Sequence, residues 1–221
     1  MRALAGPLSH WFAKGDPAEA DRLVAGVEQW RKDLRSSVAE KVGEQLVWDE
    51  RSGTTFAADL DEAGHVALRL FAFYAERSDL EWPDTCPALC ELDAAWREGA
   101  EQKFAKSLYG QILACDMWLP GEFPVTVRAP RPDGQAVEIG SLQVLLDQLN
   151  WLNQRTFQAD EAEVVAWQSE RAAAGIAFVA AARRGFASLL QACKVARDAA
   201  LPLMLEMPEG APDPGPGAAA L

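Results

Sequence analysis

Apolar residues recur every three or four positions in several long stretches of the chain, which is the spacing of one face of an α-helix. The first such stretch follows Asp16-Pro17-Ala18-Glu19, where an acidic N-cap, a proline at the first helical position and a glutamate three residues after the cap favour a helix start. The pattern predicts a helix that ends near Gly43. Its core-facing stripe consists of Leu23, Val27, Trp30, Leu34, Val38 and Val42.

After this helix the pattern changes to short runs of β-branched and aromatic residues, separated by two glycine-containing turn signals. These runs predict a three-stranded meander over residues 45–50, 54–60 and 65–74. The third run also fits a buried helix capped by Asp59 or Asp61, because its apolar residues recur at helical spacing as well. We interpret it as a strand.

The second half of the chain alternates helices with a β-hairpin. Two helical stretches are predicted after Pro87, and the second carries Phe104, Leu108, Ile112 and Cys115 on one face. Short alternating runs on both sides of Asp133-Gly134 predict the hairpin. Ser141 has the position and side chain of an N-cap for the helix that follows.

A last helical region is predicted from about residue 160 to 200, with a bend near Gly175. Its second part has a buried stripe of Phe178, Ala182, Phe186, Leu189, Cys193 and Ala196. Residues 208–221 are rich in proline, glycine and alanine and predict a disordered tail. The elements together predict an α+β fold over residues 1–207, a helix-rich single domain in which long helices pack a small antiparallel sheet made of the meander and the hairpin.

Composition narrows the class of protein. The N-terminal residues lack a sustained apolar run, and no stretch reaches the roughly 20 apolar residues that cross a bilayer, so we expect a cytoplasmic protein without a membrane span. A net charge of −12 disfavours nucleic-acid binding. The cysteines Cys86, Cys90, Cys115 and Cys193 are interpreted as reduced thiols. The first two have a spacing that suits a metal or redox pair, but no second pair of ligands accompanies them.

Few residues offer catalytic chemistry. The sequence contains neither the glycine-flanked serine of a nucleophile elbow nor a glycine-rich phosphate loop. His65 is the only histidine within the predicted elements, and Asp59, Asp61 and Glu62 lie close to it in sequence. These four residues define an alternative hypothesis, a carboxylate-based enzyme with or without a divalent metal.

The acidic residues are unevenly placed along the chain. Residues 44–93 contain twelve acids and three arginines, a net of −9, whereas residues 171–197 contain five basic residues and no acid. A solvated acidic face accounts for this pattern, and so does a surface complementary to a basic protein. Trp48 and Trp82 lie within this acidic region and are the best candidates for exposed aromatic anchors.

The sequence therefore predicts a non-enzymatic acidic protein that engages a basic protein partner. A bacterial immunity protein that masks a toxin's cationic site has this physical character, and so does a regulatory adaptor. The predicted partner-binding residues are Trp48, Asp49, Glu50, Asp59, Asp61, Glu62 and Trp82. No cofactor or metal is predicted, the oligomeric state is left open, and a scaffold that dimerises through the last helix is a further alternative.

Overall fold

The computed structural model describes residues 1–13, 16–42, 46–104, 106–168 and 177–206, with side chains for all of these except Pro17 and residues 37–42. The strands β1 to β6 are Arg2–Ala5, Phe56–Asp59, Met117–Leu119, Val127–Pro130, Ala136–Ser141 and Leu203–Glu206. The helices α1 to α8 are Leu8–Phe12, Pro17–Val42, Glu62–Tyr74, Ala94–Glu101, Gly110–Ala114, Leu142–Leu152, Glu161–Gln168 and Phe178–Asp198. Single turns of 3₁₀ and π-helix lie at Cys90–Leu92 and Asn153–Phe157.

The strands form one mixed sheet in the order β2-β1-β6-β3-β5-β4. Strands β3 and β5 are parallel, and the other neighbours are antiparallel. The α+β class is thus as predicted, but the small antiparallel sheet was wrong. Strands β1, β3 and β6 were missed because each is only three or four residues long and almost wholly buried, so no polar residue alternates with the apolar ones.

Successive residues of the central strands point to opposite faces of the sheet. Ala3 and Ala5 join a hydrophobic cluster with α3, α6 and α8, whereas Leu4 joins a second cluster with α1 and α2. We call these two sides the α8 face and the α2 face. The same alternation places Trp118 on the α8 face and Met117 and Leu119 on the α2 face. The sheet therefore lies between two helical layers.

The predicted meander is confirmed only at β2. Residues 65–74 belong to helix α3, and residues 46–50 form no strand. Ten of the thirteen residues of α3 are buried, so this helix lacks the polar face that distinguishes an amphipathic helix from a buried strand. Asp61 occupies its N-cap position, as the helical alternative required, although the Asp61 side chain makes no capping hydrogen bond.

Several local predictions are confirmed. The hairpin forms from β4 and β5, and the Ser141 hydroxyl caps α6. The Asp16 carboxylate accepts a hydrogen bond of 2.9 Å from the Ala18 amide at the start of α2. All six residues of the predicted stripe on α8 are buried. The bend near Gly175 and the tail at 208–221 lie outside the described residues.

The predicted helix through Phe104 and Cys115 is interrupted. Lys103 and Phe104 have φ angles of 53° and 48°, in the left-handed region, so helix α4 ends before them and α5 starts at Gly110. The ring of Phe104 turns back onto Trp96, with the ring centroids 4.7 Å apart. An aromatic contact made across the turn replaces the continuous helical face.

Candidate functional site

The predicted partner-binding residues lie on two different sides of the sheet. Trp48 belongs to the hydrophobic cluster of the α2 face. Trp82 packs against Phe71 and Phe178, which belong to the cluster of the α8 face. The structure therefore does not bring all of the predicted residues together in one surface.

Trp48 and Glu50 are buried, each 5% exposed, so the prediction that they are exposed was wrong. The Glu50 carboxylate accepts hydrogen bonds from the Ser9 amide at 3.0 Å, the Ser9 hydroxyl at 2.8 Å and the Leu8 amide at 3.2 Å. The Trp48 indole N–H donates to the same carboxylate. Burial of this charge is tolerated because four hydrogen-bond donors surround the carboxylate. These hydrogen bonds hold residues 48–50 against the start of α1.

The remaining acidic candidates differ in their solvent exposure and in the contacts that their carboxylates make within the protein. Asp49 is exposed, and its carboxylate accepts a hydrogen bond from the Arg51 amide at 2.9 Å within a turn. Asp59 is exposed on the edge strand β2, and Glu62 is exposed in the first turn of α3. Asp61 is partly buried and forms a 2.6 Å ion pair with Arg184 of α8, whose side chain is 7% exposed.

His65 is buried, and neither of its ring nitrogens has a hydrogen-bond partner among the described residues. Burial, together with the positive charges of Arg69 and of the chain's amino terminus, lowers the pKa of His65 to about 3. Within the described residues His65 thus makes no hydrogen bond to any of the three nearby acids, and the Asp61 carboxylate is bound to Arg184. Across the described residues, no group of three or more His, Cys, Asp and Glu side chains is placed to hold a metal ion.

Trp82 is the predicted anchor that the structure leaves accessible, with 44% of its surface exposed. Its ring centroid lies 4.9 Å from that of Phe71, 6.0 Å from that of Tyr74 and 6.2 Å from that of Phe178. Phe71 and Phe178 are 5% and 3% exposed, so they form a fixed floor beneath the indole. One side of Trp82 is thus held in place while the other meets solvent.

Residues 78–93, which we call the acidic loop, fold back along α3. The thiols of Cys86 and Cys90 each lie 3.7 Å from a backbone carbonyl oxygen of this helix, those of Ala63 and Val66. Asp93 accepts a 2.7 Å hydrogen bond from the Tyr74 hydroxyl. These contacts tie the acidic loop to the helix at several points, so the loop is positioned by tertiary packing despite its lack of long regular elements.

The charged side chains of the acidic loop are mostly exposed to solvent, and all of them are negative. Its sequence contains no lysine or arginine, and Asp79, Glu81, Asp84 and Glu91 are exposed. Asp79 is bound by Arg77 at 3.3 Å. We call Trp82, Glu81 and Asp84 together the Trp82 surface. The contact between the Cys86 thiol and the Ala63 carbonyl places the start of α3 next to this loop.

The cysteines are poor candidates for redox or metal chemistry. Burial raises the pKa of Cys90 to about 12, and burial together with Asp61 raises the pKa of Cys86. Burial also raises the pKa values of Cys115 and Cys193, the latter to about 12. Because the thiolate is the reactive form, these thiols are held in their unreactive state at neutral pH.

A groove of about 250 Å³ lies between α6, α7 and α8. Val164, Ala187 and Leu190 contribute buried apolar side chains to it, and an ion pair of 3.3 Å between Lys194 and Glu161 lies at its edge. Its lining contains neither histidine nor cysteine. The charged side chains of its lining are those of Asp160, Glu161 and Lys194.

No protein-family model matches the chain, and neither a curated protein nor a solved structure matches it. In the part of the chain that the structure describes, no helix is both long enough and apolar enough to span a membrane. The sequence identified Trp82 from its acidic neighbours, but it missed the aromatic floor beneath it. Phe71 and Tyr74 of this floor lie at the end of α3, and Phe178 lies at the start of α8, far along the chain.

Proposed function

We propose that this protein is a non-enzymatic binding protein that engages a basic protein partner through the Trp82 surface. The observation that carries the proposal is an exposed tryptophan held on a buried aromatic floor, within a loop that contains acids and no cation. Both an inhibitor that masks a cationic site and a regulatory adaptor would use such a surface.

Trp82 supports this proposal because tryptophan is among the residues most enriched in the energetic centres of protein interfaces. Its indole is already oriented by Phe71 and Phe178, so a partner need not pay the full entropy of ordering it. The remaining exposed part of its ring is available for burial against the partner.

Exposed carboxylates near Trp82 also support the proposal. Glu81 and Asp84 flank Trp82 in sequence and are exposed, and Glu62 is exposed at the start of the helix on which the acidic loop packs. Negative charge placed around an apolar anchor attracts a basic partner and disfavours acidic ones. Of the predicted set we therefore propose Trp82 and Glu62 as partner-binding residues. Asp61 is bound to Arg184, and Asp59 lies on the edge strand β2.

Affinity capture with the tagged chain in its own cells tests the proposal. We expect a protein of high isoelectric point to be retained at low salt and lost at high salt. The variants Trp82→Ala and Glu81→Lys/Asp84→Lys should reduce its retention about tenfold or more. The matched controls are Trp151→Ala, since Trp151 is 49% exposed, and Asp21→Lys/Glu122→Lys, since both of these acids are exposed. Equal capture by all variants, or capture of an acidic protein alone, would overturn the proposal.

A further inference from the structure

Arginine side chains lie over several tryptophan rings of this protein. The guanidinium carbons of Arg31, Arg69 and Arg183 lie 4.7, 5.6 and 5.2 Å from the ring centroids of Trp48, Trp96 and Trp167. Such stacking combines dispersion with attraction between the cation and the negative face of the ring. Guanidinium groups of the chain thus stack on the indole rings of these three buried tryptophans.

Trp82 differs from these three tryptophans. Its inner side is occupied by aromatic rings, and within the described part of the chain no arginine or lysine lies over it. The acidic loop that carries it contains no cation that could move onto the ring. An aromatic face with carboxylates beside it is complementary to a cation supplied from outside.

Resting on the proposed function, we propose that the partner places an arginine guanidinium on the outer face of Trp82. A guanidinium is planar and weakly hydrated, so it stacks on an indole while its N–H groups bind carboxylates such as Glu81 or Asp84. A lysine ammonium is compact and strongly hydrated, and it gains less from the same site. The site is therefore selective for arginine and not merely for positive charge.

The acidic loop also indicates what accompanies that arginine. Leu89 and Leu92 are 47% and 65% exposed on the same loop. Large apolar side chains left in solvent on the loop that carries the aromatic anchor are typical of a surface that a partner covers. The occupant we infer is a segment of the basic partner in which arginine alternates with apolar residues.

Three synthetic peptides of ten residues provide the test, with arginine, lysine or neutral citrulline alternating with leucine and glycine. The protein is labelled with ¹⁵N, and the indole N–H signal of Trp82 is assigned with Trp82→Phe. We expect the arginine peptide to shift the Trp82 signal with a Kd about three- to tenfold lower than the lysine peptide, and the citrulline peptide to leave it unchanged. Glu81→Gln/Asp84→Asn should weaken binding of the arginine peptide.

Trp151 is the internal control, because it is exposed to a similar extent and its signal appears in the same spectrum. Equal affinity for the arginine and lysine peptides would overturn the arginine anchor, and so would shifts at Trp151 without shifts at Trp82. Absence of any shift would overturn it as well. In each case the proposed function is retained if Trp82→Ala still reduces the capture of a basic protein from cells about tenfold or more, so the two failures are distinguishable.

Discussion

Gly185 of α8 lies directly against Gly64 of α3, so that a Cβ atom built on Gly185 would be 2.5 Å from the carbonyl carbon of Gly64. Helices α3 and α8 can cross this closely only because both positions lack a side chain. Gly185→Ala should therefore lower the free energy of unfolding by about 2–3 kcal/mol, measured by urea denaturation. Gly26→Ala is the control: nothing lies within 4 Å of its new methyl group, and it should stabilise by up to about 1 kcal/mol. If Gly185→Ala left the free energy of unfolding unchanged, the close contact between α3 and α8 at this position would be refuted.

The buried Glu50 carboxylate should be important for stability. Glu50→Gln replaces a charged acceptor by an amide that cannot accept from all four donors, and we expect a loss of about 2 kcal/mol in the free energy of unfolding. The neighbouring change Asp49→Asn affects an exposed side chain and should cost less than about 0.5 kcal/mol. Equal effects of the two changes in thermal denaturation would show that Glu50 does not hold this region together.

The ion pair between Asp61 and Arg184 joins the start of α3 to α8. Asp61→Ala leaves a nearly buried guanidinium without its carboxylate, and we expect it to cost about 2 kcal/mol, less than a fully buried pair because Asp61 is partly exposed to water. Asp59→Ala, on the exposed edge strand, should have almost no effect. Combining Asp61→Ala with Arg184→Met should restore part of the loss. A double variant whose loss is the sum of the two single losses would refute coupling between the two side chains.

Buried His65 should make stability depend on pH. Its pKa in the folded protein is about 3, against 6.5 for an ordinary histidine, so between these values the unfolded chain binds a proton that the folded protein does not. Stability is therefore fully present above pH 6.5 and declines as the pH falls towards 3. Between pH 7 and pH 5 the wild type should lose about 2 kcal/mol more than His65→Met, measured by denaturant titration at both values. Parallel losses in the two proteins would contradict this account.

Elements of the fold were predicted correctly where turn or cap residues mark their ends in the sequence. Turn and cap residues such as Asp133-Gly134 and Ser141 act through their immediate neighbours, and the hairpin and α6 were predicted correctly. Helix α3 and strand β6 are buried on nearly every side, so their apolar residues carry no period that separates helix from strand. Only tertiary packing, as at Gly64 and Gly185, decides between the two.

The candidate surface was predicted in part for the same reason. Trp48 and Trp82 look alike in sequence, each beside acidic residues, yet one is buried and the other is exposed. The difference comes from tertiary contacts: the Glu50 carboxylate beside Trp48 binds the start of α1, while Phe71 and Phe178 support only one side of Trp82. Charge along the sequence located the acidic region but not the part of it that faces solvent.

Photocrosslinking in living cells tests the role of Trp82 most directly. A photoreactive phenylalanine analogue is placed at position 82 and, in a second strain, at position 151, which is exposed to a similar extent. The proposed function predicts one dominant adduct from position 82, to a basic protein, which Glu81→Lys/Asp84→Lys abolishes and which position 151 does not give. The same adducts from both positions, or an adduct from position 82 that survives the charge reversal, would contradict it.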